Sequence, residues 1–385
     1  MGEGGNAIYR RDAIPVEEAM RRIAERIGFV GIERVPLSEA FGRRLAEHVF
    51  ADAPLPHFRR SGLDGYAVRA DDTAGASPSS PARLEIIESV PCGAMPQKEV
   101  ASGTAVRIMT GAAVPEGADA VVMLEMTGTE TKDGRSYALV RRPMNGGANI
   151  TPIGGETAAG ELLLAPGCVI GSGETAVLAA FGRSVLQVAR SPKVAIIATG
   201  AELLPVDTPS PLAPGRIRDS NSAMVAALIR EAGGTPLLYG TVTDDPGAAA
   251  TIVLRALGEA DVVVTTGGVS VGDYDVMTDF CRHWDGELLF HKVAMRPGSP
   301  TSAGIRDGRP LFMLSGNPGA CYVGFELFVR DALLHMQGAS APSLRPISAV
   351  LAEGEYAGIA YQRYVRGVKA GETVTVLIRR VLPFG

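Results

Sequence analysis

The chain has 385 residues, of which 46% are hydrophobic and 21% charged, enough for about two or three domains and too well balanced for a disordered chain or a fibrous repeat. Thirty-seven Lys and Arg face 42 Asp and Glu, a net charge of −5, which excludes nucleic acid held by a general basic field and requires any anion to be gripped locally. Aromatics are only 5%, against 47 Gly and 26 Pro, so an α/β chain with many sharp turns is expected rather than an aromatic-rich all-β module. Cys92, Cys168, Cys281 and Cys321 are far apart and the five histidines are scattered, which fits a reducing compartment and neither a disulfide framework nor a transition-metal site. The opening MGEGGNAIYRRDA has no apolar core and no run is long enough to span a bilayer, so a cytoplasmic protein without membrane contact is expected.

Residues 15 to 29 carry Val16, Ala19, Met20, Ile23 and Ile27 at helical spacing, with Pro15 suited to the first helical position. From 51 to 145 short apolar runs such as LEIIES and AVVMLE, broken by Gly, Pro and Ser, predict a mostly β domain. Within it SGLDGYAVRADD sets Asp64 in a turn before an alternating strand, and Thr110 with Gly111 closes another. The glycine-rich stretch 145 to 167 reads as turns between short strands, and ETAVLAAFG as a short helix stopped by Gly182.

Between 193 and 337 the alternation is regular. KVAIIAT, TPLLYGTV and DVVVTT read as strands, separated by a helix capped by Asp219 or Ser220 and one capped by Asp245 with Pro246 in its first turn. Two successive strand-helix-strand units predict a parallel, three-layer α/β domain. A helix near 275 to 284, strands near 287 to 295 and 311 to 314, and a helix from 318 to 337 follow, then a small β appendage over 338 to 385.

Ligands of such sheets bind beyond the carboxyl ends of the strands. Three strand ends here carry glycine-rich loops: Thr199 and Gly200; Gly267, Gly268, Ser270 and Gly272; and Ser315, Gly316, Asn317 and Pro318. One such pair is ordinarily a tight turn; three on one edge point to phosphate binding. Glu202, Asp244, Asp245 and Asp275 fall in loops of that edge, and carboxylates around a phosphate call for a cation, Mg²⁺ being the natural one. Asp245 and Asp275 have helix capping as their alternative. Lys292 and Arg296 would share one face of an extended strand, suited to an oxyanion or to ordinary solvated charge.

Taken together, SGLDGYAVR, RIMTGAAVPEGADAVVMLE, NITPIGGE, ATGAELL, DSNSAMVAALI, TTGGVSVGDYD, VAMRPGSP and SGNPGACYVGF resemble, in order, the motifs of the molybdopterin molybdenumtransferases, the MoeA proteins and the gephyrin E domain. The resemblance implies a multidomain homodimer: an elongated N-terminal domain (1–50 and 146–190), an inserted β domain (51–145), a molybdopterin-binding α/β domain (191–338) and a shortened C-terminal β domain (339–385). It implies Mg²⁺-dependent cleavage of adenylylated molybdopterin, with molybdate passing to the dithiolene sulfurs and AMP released. By position, Asp64 and Thr110 face the partner's cleft, Glu202, Asp244 or Asp245, and Asp275 hold Mg²⁺ and the adenylate, and Lys292 and Arg296 bind the oxyanion. A molybdopterin adenylyltransferase or a molybdoenzyme client is the implied partner.

The resemblance departs where P-G-K-P becomes Pro297, Gly298, Ser299, Pro300, and where L-P-G-N-P-V-S becomes Leu314, Ser315, Gly316, Asn317, Pro318, Gly319, Ala320. G-E-D also becomes Gly155, Glu156, Thr157, and the last domain reads short. Two functions are therefore implied: the transferase itself, or a non-catalytic paralogue that carries molybdopterin or molybdenum cofactor.

Overall fold

The computed structural model describes residues 13–243, 245–269, 276–340, 344–350, 362–363 and 373–379, and the chain divides into two compact units. Helix α1 (Val16–Ala24) buries Val16, Ala19 and Ile23 at the expected spacing but is shorter than predicted, and Pro15 is its N-cap, not its first residue. Strand β1 (Ile32–Pro36) follows.

The unit made mainly of 48–164 is built on β2 (Gly65–Val68), β3 (Ala82–Val90), β4 (Thr104–Ile108), β5 (Ala120–Met123), β6 (Thr127–Lys132) and β7 (Arg135–Val140), in the order β5-β2-β4-β3-β7-β6. The alternation expected of β2 is absent, because it lies between β5 and β4 with both faces covered. Tyr66 and Val68 enter one apolar cluster and Ala67 the other.

The other unit adds α2 (Ser172–Ala180) and β8 (Val185–Ala189), the latter antiparallel to β1. Its centre is a six-stranded sheet. In chain order the elements are β9 (Lys193–Thr199), the short β10 (Leu203–Leu204) and β11 (Ile217–Arg218), α3 (Ser220–Glu231), β12 (Thr235–Val242), α4 (Pro246–Glu259), β13 (Val262–Thr266), α5 (Val276–His283), β14 (Glu287–Phe290), β15 (Ser302–Arg306), β16 (Arg309–Leu314), α6 (Pro318–Gly324) and α7 (Arg330–Met336). A π-helical turn, Phe325–Val329, joins the last two helices.

Period-2 alternation makes the three layers. On β9, Val194 and Ile196 pack with α1, α3 and α7, whereas Ala195 and Ile197 pack with α4 and α5. The sheet order is β12-β9-β13-β16-β15-β14. Its first four strands are parallel, but β15 runs antiparallel to both neighbours, so the sheet is mixed rather than parallel. β15 is a strand beyond those the sequence pattern predicts; the Asp307-Gly308 turn, with φ of 53° and 76°, makes β15 and β16 a hairpin.

The strand expected over 287–295 splits into β14 and the pair Met295–Arg296. Lys292 and Ala294 bond to residue 14, Ile14 N–H donating to Lys292 O and Ala294 N–H to Ile14 O, while Val293 N–H donates to Ser299 O. Finally, β17 (Leu344–Val350) and β18 (Thr373–Arg379) pair antiparallel. Among the described residues no helix is long and apolar enough to cross a membrane.

Candidate functional site

At the carboxyl edge of the mixed sheet, a cleft of about 520 Å³ opens over the ends of β9, β13 and β16. It gathers Thr199, Gly200 and Glu202 from the first strand end, Gly267 and Gly268 from the second, and Gly316, Asn317 and Pro318 from the third. Strand ends cluster because β9, β13 and β16 are adjacent and parallel; glycine lets their loops close on one another. A Cβ on Gly267, whose φ is +87°, would stand 2.4 Å from Thr199 O. Side chains are excluded there on both steric and conformational grounds.

The α3 wall of the cleft comes from residues 218–221. Asp219 is the N-cap of α3, its Oδ1 accepting the Ser222 N–H at 3.0 Å. Asn221 is buried and donates through Nδ2 to Gly316 O at 2.9 Å, tying the start of α3 to the β16 loop. Its Oδ1 and the Thr266 hydroxyl, both buried, have no hydrogen-bond partner among the described residues. Orphaned buried polar atoms cost about 1–3 kcal/mol each, a cost that a bound polar ligand can offset. Asn317 caps α6, its Oδ1 accepting the Ala320 N–H at 3.2 Å. Beneath it Cys321 is fully buried, and burial, reinforced by the Asp219 carboxylate, pushes its thiol up to about 12.

Other expected site residues lie elsewhere. Asp245 is not in the cleft lining: it is the N-cap of α4, its Oδ1 accepting the Gly247 N–H at 2.9 Å, which is its capping alternative. Asp244, Ser270, Gly272 and Asp275 lie outside the described residues. Among the described residues no group of three or more His, Cys, Asp and Glu could hold a metal ion. Lys292 and Arg296 do not line the cleft, and the strand that was to place them on one face is folded by a tight turn in which Met295 N–H donates to Val293 O at 2.9 Å. Ser299 Oγ donates to the same Val293 O at 2.8 Å, so its hydroxyl is used within its own loop, while Pro300 reaches the cleft.

Residue-level reasoning missed Arg218 and Asn221 as cleft residues, whereas Ser315 of the third loop is in the lining as expected. The available signal was the helix start: Arg218 immediately precedes the N-cap of α3, and Asn221 is the second residue of that helix.

In the other unit Asp64 and Thr110 meet directly. The Thr110 hydroxyl and backbone N–H both donate to Asp64 Oδ1 at 2.7 Å. These bonds, the hydroxyl first, hold the exposed carboxyl below the usual carboxylate range.

The protein is similar to a molybdopterin molybdenumtransferase of Bacillus subtilis (strain 168), with 44% identity covering 94% of this chain and 84% of the relative. The chain belongs to the molybdopterin molybdenumtransferase family. A Staphylococcus aureus (strain MRSA252) protein of the same name is 40% identical over 98% of this chain and 88% of its own length. Residues 14–182 match the MoeA N-terminal region (domain I and II) and residues 195–335 a probable molybdopterin binding domain, which contains every described cleft residue. The crystal structure of the molybdopterin biosynthesis moeA protein from Pyrococcus horikoshii OT3 superposes with a TM-score of 0.78 at 31% identity, covering 95% of this chain and all of that one. Membership in the molybdenumtransferase family places the chain in molybdenum cofactor biosynthesis.

Proposed function

We propose that the protein is a molybdopterin molybdenumtransferase that cleaves adenylylated molybdopterin, releases AMP and passes molybdate to the dithiolene sulfurs. The supporting observation is the cleft itself: three glycine-rich strand ends in the segment similar to a molybdopterin binding domain, with buried Asn221 Oδ1 and Thr266 Oγ1 awaiting partners. The glycines let backbone approach the ligand closely, and the α3 N-terminus favours negative charge.

The donor set is compatible with Mg²⁺. Glu202 is exposed at the cleft, its carboxylate folded over Gly200, where an added Cβ would stand 2.6 Å from Oε2. A single carboxylate with substrate phosphates and water suits an ion that dehydrates reluctantly; Asp244 and Asp275 are the further family positions, and Asp245 is committed to its cap. Bound there, the ion would neutralise phosphate charge as the anhydride breaks. Asp64, kept ionised and oriented by Thr110, would act on the cleft of a second copy in a homodimer. The adenylylated substrate calls for an adenylyltransferase upstream.

A carrier role is favoured by one observation: at the positions of the family's lysine and serine stand Ser299, bonded to Val293 O, and Ala320, buried in α6. Ser299 offers molybdate no cation and already donates its hydroxyl proton to Val293 O, and Ala320 has no hydroxyl. Complementation separates the readings. Expression in a bacterium lacking its own molybdenumtransferase should restore molybdoenzyme activity; soluble expression without restoration, together with tight molybdopterin binding, would select the carrier.

A further inference from the structure

Among the described residues lining the cleft, Arg218 is the one cation. It closes β11 and immediately precedes the N-cap of α3, so its backbone is fixed from both sides. The guanidinium is engaged along one edge. Nε and Nη2 both donate to Thr208 O, at 3.2 and 2.7 Å, and Nη2 also donates to Ser210 Oγ at 2.9 Å. A guanidinium presents five N–H donors in one rigid plane. Three are thus engaged with the segment between β10 and β11, and the two on Nη1 have no partner among the described residues.

The charge around Arg218 is also unbalanced. Its three hydrogen bonds go to a carbonyl and a hydroxyl, both neutral. Two carboxylates line the same cleft, Glu202 and Asp219, but neither pairs with it, and Asp219 has an oxygen committed to the α3 cap. A half-buried cation held by neutral acceptors, beside a ligand-sized cleft whose wall already carries two orphaned polar atoms, is arranged for an anion that arrives with the ligand. Lys292 and Arg296, the cations expected in this role, are not at the cleft wall.

We infer that Arg218 is the contact for a phosphoryl group of the ligand: Nη1 donates to its oxygens while Nε and Nη2 hold the 205–215 segment in place. The inference deepens the transferase reading and rests on it for the location of the substrate.

The test is calorimetric titration of the full chain with AMP, with adenosine as the uncharged probe and inorganic phosphate as competitor. Wild type should bind AMP at least tenfold more tightly than adenosine. Arg218→Met should weaken AMP by roughly tenfold or more, the loss of a charge-assisted bond, and leave adenosine within twofold. Arg218→Lys, with charge but no fork, should fall between. Inorganic phosphate should displace AMP from wild type. Ser210→Ala releases one bond of the 205–215 segment without touching the charge, and should keep AMP affinity within about threefold. AMP affinity unchanged in Arg218→Met, equal losses for AMP and adenosine, wild type that does not distinguish the two, or Ser210→Ala matching Arg218→Met would each overturn the inference. Its failure is distinguishable from that of the transferase reading. Turnover of adenylylated molybdopterin with AMP binding indifferent to residue 218 removes Arg218 alone, and Arg218-dependent AMP binding without turnover removes the transferase alone.

Discussion

Gly267→Ala tests whether the cleft is formed by contact between strand ends or merely by loops that happen to lie together. At this position φ is +87°, and a Cβ would meet Thr199 O at 2.4 Å and Thr199 Oγ1 at 2.9 Å. Thr199 ends β9, which pairs on both sides with β12 and β13, so it cannot yield freely. The left-handed backbone costs alanine about 1–2 kcal/mol, and relieving the overlap a further ~1–3 kcal/mol. The sum is about 2–5 kcal/mol. Gly308 supplies the control: φ is +76° and nothing lies within 4 Å of an added Cβ, so Gly308→Ala should cost only the backbone share, about 1–2 kcal/mol. Both residues belong to the unit that holds Trp284, the single tryptophan. Urea unfolding followed by tryptophan fluorescence therefore reads both variants with one probe. Equal destabilisation by the two substitutions would refute the claim that Gly267 is required by the approach of Thr199.

Three further outcomes are expected. Because Thr110 lowers the folded-state pKa of Asp64, the linked stability is fully present above the unfolded carboxyl pKa and is lost as pH falls through the lowered folded value; Thr110→Val should move the Asp64 carboxyl midpoint upward by NMR, and an unmoved midpoint contradicts the bond. Cys92 is exposed while Cys281 and Cys321 are buried, the latter with its thiol pushed up to about 12. Brief alkylation of native protein at pH 8 should label Cys92 and spare Cys321, which mass spectrometry of the digest would show; native labelling of Cys321 would be inconsistent with its burial. Replacing Ser299 by lysine breaks its bond to Val293 O and restores a cation, so Ser299→Lys, alone or with Ala320→Ser, should tighten molybdate binding roughly tenfold or more by calorimetry; a flat series would mean that these positions no longer form a molybdate pocket.

The three strand-end loops of the cleft were legible because each follows a buried apolar run and precedes a turn or helix start, so all three could be placed on one edge of one sheet from their pattern alone; that β9, β13 and β16 are neighbours is shown by their pairing. What escaped depended on long-range pairing. Lys292 and Ala294 bond to residue 14, more than two hundred positions away, and between Lys292 and Arg296 the chain turns where Met295 N–H donates to Val293 O. β15 becomes antiparallel through a hairpin inside an α/β pattern. β2 lost its expected alternation because strands from both sides and clusters on both faces cover it. Asp245 satisfied two roles equally well on paper; only its 2.9 Å bond to Gly247 separates cap from ligand. Arg218 sits in a two-residue strand too short to carry any periodicity, and its place in the cleft follows from the pairing of β11 with β10.

The most direct measurement of the central claim is AMP release from adenylylated molybdopterin by the purified chain, with Mg²⁺ and molybdate each supplied or omitted. A transferase acting through this cleft should release AMP only when both are present, with molybdenum recovered on the pterin. No release, or release at the same rate without molybdate, would contradict the assignment of molybdate insertion.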